Sequence, residues 1–145
     1  NPDNGMKISA FLENSRCCNV LDERDLKSCM KKLRDFHNLK LKVNHKFDIY
    51  EKIDFYESLW TEKSIFQDYE QTKKNVLGLK AFIDSCKPEY CLTHIDAVPD
   101  NFLFSTNSDG KEEIQLIDWE YAGMQDSHVD IAMFCIYSLY DKKYQ

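Results

Sequence analysis

Apolar positions along the chain change their period twice. From Met6 to Glu13 they roughly alternate, which predicts a short strand or extended segment over 6–13. From Leu26 the spacing turns helical. Leu26, Met30, Leu33 and His37 share one face, and Cys29 and Phe36 widen it. Asp22 is placed to cap this helix, with Leu21 and Leu26 at staple positions around it. A second helix is predicted from Asp48, where Glu51 completes a D-x-x-E signature and Ile49, Ile53, Tyr56 and Trp60 supply the apolar face. A third spans Ser64 to Ser85 through Ile65, Tyr69, Val76, Phe82 and Ile83, and Lys87-Pro88 ends it.

Beyond residue 90 the texture becomes strand-like. Tyr90 to Thr93, Phe102 to Phe104 and Ile114 to Ile117 are short apolar runs, and Asn107-Ser108-Asp109-Gly110 is a turn between the last two. Asp118 closes the third run. A final helix, capped by Ser127 with Asp130 at its third position, carries Val129, Ala132, Met133, Phe134, Ile136 and Leu139. These wrap nearly all round it, which predicts burial. The 145 residues suffice for one α+β domain.

Composition narrows the function class. A net charge of −6 makes nucleic acid a poor partner. No apolar run approaches the ~20 residues of a membrane span, and the polar Asn1 to Gly5 is unlike a signal peptide. Six cysteines include no C-x-x-C pair, and Cys17 and Cys18 are adjacent, so the expectation is reduced thiols in the cytoplasm.

The chemistry is concentrated in His94-Ile95-Asp96-Ala97-Val98-Pro99-Asp100-Asn101, an H-x-D-x-x-x-x-N pattern. Phosphoryl transfer to a hydroxyl needs a carboxylate to orient the hydroxyl and take its proton, and oxygen ligands for magnesium. Asp96 suits the first task. Asn101 suits the second, joined by Asp118 from the neighbouring strand, because magnesium takes only one or two carboxylates and completes its shell with phosphate and water. Three fixed letters alone are a weak signal. Their setting strengthens it: an apolar strand before, Phe102-Leu103-Phe104 after, and a hairpin leading to Asp118-Trp119-Glu120 where protein kinases carry D-F-G.

Leu92-Thr93-His94-Ile95-Asp96 through Asn101-Phe102-Leu103 resembles the catalytic loop of the choline kinase and aminoglycoside phosphotransferase superfamily. Ile117-Asp118-Trp119-Glu120-Tyr121-Ala122-Gly123, Asp126 and Asp130-Ile131-Ala132 resemble its metal-binding segment and following helix. Lys7 to Leu12 resembles the linker bordering the adenine, and Leu33-Arg34-Asp35-Phe36-His37 the helix after it. The Asp-aromatic-Glu-Tyr-Ala form is most similar to choline and ethanolamine kinases, in particular bacterial choline kinases of the LicA type. The resemblance implies the C-terminal lobe of a protein-kinase-like fold, mainly helical, with a small β-hairpin carrying the catalytic and metal-binding segments. It implies ATP as co-substrate, Mg2+ as cofactor and choline as acceptor. It makes Asp96 the base, Asn101 and Asp118 the magnesium ligands, Glu120 a further ligand or support, and Asp130 a brace for the catalytic loop. Tyr121 and Tyr137 become candidate walls of the alcohol pocket, although tyrosines in so aromatic a chain also read as core. Ile8 and Phe11 become candidate nucleotide contacts. The family's N-terminal lobe and the end of its alcohol pocket have no counterpart here, so residues 1–145 are expected to be a lobe truncated at both ends, with little activity alone. An aminoglycoside or ethanolamine kinase is the alternative chemistry. A non-catalytic pseudokinase or interaction module is the alternative class, and the retention of Asp96, Asn101 and Asp118 argues against it.

Overall fold

Aspartate side chains decide where three of the four helices begin. The computed structural model describes residues 4–6 and 8–140. Helix α1 (Glu23–Asn38) starts where Asp22 accepts the Arg24 amide at 2.8 Å. Helix α2 (Ile49–Ser58) starts where Asp48 Oδ1 accepts the amides of Tyr50 and Glu51 at 3.0 and 3.3 Å. Each aspartate satisfies backbone donors that the first helical turn leaves unpaired. Leu21 stays exposed, so the staple around Asp22 contributes little. Helix α3 (Tyr69–Ser85) begins five residues later than its apolar pattern predicts, because Ser64 to Phe66 are irregular and Gln67 and Asp68 form a turn.

Five short strands form two sheets among the described residues. Strands β1 (Arg16–Cys17), β3 (Phe102–Thr106) and β4 (Glu112–Leu116) make one, and β2 (Tyr90–Thr93) with β5 (Gly123–Asp126) the other. The strand expected over 6–13 is not formed. The described residues there are irregular and mostly exposed, Lys7 lies outside the described residues, and pairing begins only at Arg16. β3 and β4 pair in the register Phe102 with Leu116 and Phe104 with Ile114, so alternate residues of β3 point inward. The core gathers Cys18, Cys29, Leu33, Ala97, Phe102, Phe104, Leu116 and Phe134 between α1, the three-stranded sheet and the last helix, α4 (His128–Tyr137). Cys18 and Cys29 are thus core filler, and burial raises both thiol pKa values.

Two features of the C-terminal part differ from the sequence expectation. Ser127 is already helical in backbone and makes no side-chain cap; Asp126 Oδ1 accepts the His128 amide instead, at 2.9 Å. Within α4 only Asp130 and Phe134 are buried, while Ile131, Ile136 and Tyr137 are exposed. The apolar faces of α2 and α3 likewise contain no buried residue.

Where β1 meets α1, a polar contact holds the sheet to the helix. Asp25 is buried, accepts both terminal nitrogens of Arg16 at 2.5 and 2.9 Å, and accepts the Asn19 amide at 2.8 Å. The Arg16 hydrogen bond holds the Asp25 carboxyl below the usual carboxylate range, against the opposing effect of burial. A depressed carboxylate pKa adds stability above the unfolded-state value and loses it as pH falls through the folded one. Asp25→Asn is therefore expected to cost about 1–2 kcal/mol near neutrality, Arg16 being half-exposed. Urea denaturation should show that gap closing as pH drops below about 4.

Candidate active site

After β2 the chain passes from one sheet to the other twice, and both of these crossings carry polar chemistry. Residues 94–101 run from β2 to β3, and residues 117–122 return from β4 to β5. Two hydrogen bonds stitch them together. The Ile117 amide donates to the Asn101 carbonyl at 3.0 Å, and His94 Nε2 donates to the Ile117 carbonyl at 2.8 Å. His94 is fully buried, and its Nδ1 has no hydrogen-bond partner among the described residues. Trp119 packs edge-on against the His94 ring at 4.6 Å and against Phe36 of α1 at 5.0 Å, while its indole N–H donates to the Leu116 carbonyl at 2.7 Å.

Asp96, Asn101 and Asp118 are brought to this junction. Asn101 Nδ2 donates to the Asp96 carbonyl at 2.8 Å and to the Asp96 carboxylate at 3.2 Å. Both partners are acceptors, so the amide nitrogen faces Asp96 and Oδ1 is turned away from it. Asp118 follows Ile117, and so sits one residue from the bond to Asn101. Asp96 is half-buried and Asp118 exposed. Glu120 and Tyr121 continue the same crossing. The Tyr121 hydroxyl is pushed above its usual pKa by the charge of Glu120, by Tyr56, by burial and by Asp96, so Tyr121 shares its surroundings with a carboxylate from each crossing.

The backbone of this junction is strained. Ile95 has φ 71°, a left-handed conformation that costs a β-branched residue about 1–3 kcal/mol. Asp118 has φ 66°, which aspartate tolerates better. Ile95 is held there by the carboxylate of Asp130, which accepts the Ile95 amide at 2.7 Å and the His94 amide at 3.0 Å. Asp130 is 0% exposed, and its Oδ2 also accepts His37 Nε2 at 2.8 Å. The brace from the start of α4 is therefore a hydrogen-bonded one. The helical spacing of α1 places His37 in the apolar stripe and gives it no partner. Its signal was a polar group closing a core-facing stripe, which needs a buried partner.

Other candidates are not brought in. Ile8 and Phe11 stand 96% and 87% exposed, and no described contact ties them to the two crossings. Tyr137 is 61% exposed, two turns beyond Asp130, with no described contact to Asp96 or Tyr121.

Asn101 Oδ1 and the Asp118 carboxylate are hard oxygen atoms, the ligand type that magnesium takes. Among the described residues no three His, Cys, Asp or Glu side chains gather into a metal cage. Two such oxygen atoms would leave most of the ion's shell to phosphate and water, as magnesium sites usually do. No described helix is long and apolar enough to cross a membrane.

Comparison with known proteins gives the same grouping. A family model described as Choline/ethanolamine kinase matches residues 3–145. Protein LicA of Haemophilus influenzae is 26% identical over 133 residues, a match covering 88% of this chain and 48% of LicA. The crystal structure of LicA in complex with AMP is similar with a TM-score of 0.76 and 27% identity, over 92% of this chain and 45% of that one. Choline kinase LicA from Streptococcus pneumoniae is similar with a TM-score of 0.76 and 26% identity, over 92% and 46%. A choline/ethanolamine kinase family protein from Mesorhizobium loti, at 17% identity and a TM-score of 0.66, shares the fold. The chain spans about half the length of the relatives it matches. Among the described residues four helices and two small sheets reproduce the C-terminal part of a kinase-like fold, and with a family model matching it almost from end to end, this chain belongs to the choline/ethanolamine kinase family.

Proposed function

We propose that this chain is the catalytic-loop lobe of an enzyme that transfers the γ-phosphoryl group of ATP to the hydroxyl of choline. The observation that carries the reading is the junction of the two crossings: the half-buried Asp96 carboxylate is hydrogen-bonded to Asn101, whose carbonyl accepts the amide of the residue before Asp118. Asp96 would accept a hydrogen bond from the choline hydroxyl and take its proton as the oxygen attacks the γ-phosphorus. The bond from that phosphorus to the β,γ-bridging oxygen breaks, and ADP leaves. Asn101 Oδ1 and the Asp118 carboxylate would hold magnesium, with Glu120 as further support. When bound, the ion neutralises charge on the transferring phosphates. The AMP-bound LicA structure supports an adenine nucleotide as donor. ATP as co-substrate and six free thiols among the described residues suit a cytoplasmic enzyme.

Choline is favoured as acceptor by Tyr121. Its hydroxyl feels the negative charge of Glu120 and Asp96, and an aromatic face holds a trimethylammonium group without needing to donate a hydrogen bond, at about 0.5–2 kcal/mol per contact. Ethanolamine is the second reading, since the matching family includes kinases of both alcohols. A competition assay on the full-length protein with ATP and magnesium should rank choline above ethanolamine, and both far above kanamycin. Preference for the aminoglycoside would overturn the acceptor while leaving the phosphoryl transfer standing.

A further inference from the structure

Two side chains at the end of α1 reach the active-site junction from outside it. Phe36 meets the edge of Trp119, and His37 Nε2 donates to Asp130 Oδ2 at 2.8 Å. His37 is almost wholly buried, its side chain 11% exposed, and the carboxylate it meets is 0% exposed. Three donors therefore converge on one buried carboxylate, two of them successive backbone amides of the 94–101 crossing.

The third donor has a consequence for Asp96. The terminal torsion of an aspartate is soft and roughly two-fold, so two backbone amides alone leave the plane of the Asp130 carboxylate free to rock. A donor fixed on α1 and aimed at Oδ2 sets that plane. The plane sets the direction of the Ile95 N–H, which meets Oδ1, and Ile95 is held in a left-handed conformation that its branched side chain resists. Asp96 is the next residue. A swing of the Ile95 peptide is thus delivered directly to the carboxylate proposed to orient the hydroxyl. We propose that His37 is a positioning residue for the phosphoryl-transfer loop, acting through the Asp130 carboxylate on the His94–Ile95 peptide that leads into Asp96. This rests on the kinase reading for its catalytic consequence, though not for its geometry.

The test compares His37→Gln with His37→Asn in the full-length protein. Glutamine can place its amide N–H near the position of Nε2, whereas asparagine is too short to reach Asp130. His37→Asn is expected to lower kcat about 10- to 100-fold while KM for ATP and choline changes less than about three-fold, the pattern of misplaced catalytic geometry. His37→Gln should recover most of the lost kcat. Equal kcat in both variants, or a loss confined to KM, would overturn the proposal. The same proteins provide a readout that needs no activity. Hydrogen exchange at the His94 and Ile95 amides should quicken about ten-fold or more in His37→Asn and stay near the original rate in His37→Gln. If the unsubstituted protein transferred no phosphate, the kinase reading would fall and exchange would decide on His37 alone. Identical exchange in all three proteins would refute the positioning role.

Discussion

Asp96→Asn in the full-length protein should depress phosphoryl transfer by about 10²–10⁴-fold and leave ATP affinity nearly unchanged. The substitution preserves shape and an acceptor oxygen, and it removes the group that takes the hydroxyl proton. Asn101 would still find the Asp96 main-chain carbonyl, which it already meets at 2.8 Å, so the crossing should keep its form. The separation of the two effects is informative. A residue that held nucleotide would lower affinity, whereas one that serves only the acceptor should appear in kcat. Nucleotide titration beside steady-state kinetics measures both. Near-normal turnover by Asp96→Asn would remove the base from the role assigned to it.

The second large effect is expected at Asp130, in stability as well as rate. Asp130→Ala would leave the amides of His94 and Ile95 and the His37 ring N–H without their acceptor, in a place that is 0% exposed. Buried unpaired donors cost about 1–3 kcal/mol each, so a loss of about 3–5 kcal/mol is expected in urea denaturation. Asp130→Asn should do little better. Its amide can offer one oxygen but must turn an NH2 toward at least one of the three donors. A cost below about 1 kcal/mol for Asp130→Ala would mean that the crossing finds other acceptors, and that Asp130 does not hold it.

The parts of the fold that could be read from sequence are those fixed by near neighbours. Asp22 and Asp48 cap through amides two or three residues away, so the signal and its partner lie in one window. The β3–β4 hairpin was legible for the same reason: alternation through Phe102 and Phe104 and a turn closing at Gly110, where φ is 75°. β5 was not, because Gly-Met-Gln-Asp has no β-branched or aromatic residue, and its pairing with β2 joins Tyr90 to Asp126 across more than thirty residues. Nor was the reason for its glycine. A Cβ on Gly123 would come within 3.0 Å of the His45 ring and 3.1 Å of the Phe47 backbone, a contact visible only once the 39–48 connection lies against β5. The outward-facing apolar residues of α4 mislead in the opposite sense. Composition announces burial, and Ile136 and Tyr137 stand exposed.

The candidate site divides along the same line. Asp96, Asn101 and Asp118 were marked by a spaced pattern whose logic is local. His37 lies 93 residues from Asp130, and helical periodicity assigned it to the core face without a partner. That assignment had the face right and missed the chemistry. A buried histidine closing an apolar stripe needs an acceptor, and only the fold says which one.

The most direct measurement is phosphorus NMR of the full-length protein incubated with ATP, magnesium and choline, run beside the Asp96→Asn variant. Phosphocholine and ADP forming in equal amounts with the unsubstituted protein, and neither forming with the variant, is the expected result. ATP consumed without phosphocholine, or phosphocholine formed equally well by the Asp96→Asn protein, would contradict a choline-phosphorylating site built on Asp96, Asn101 and Asp118.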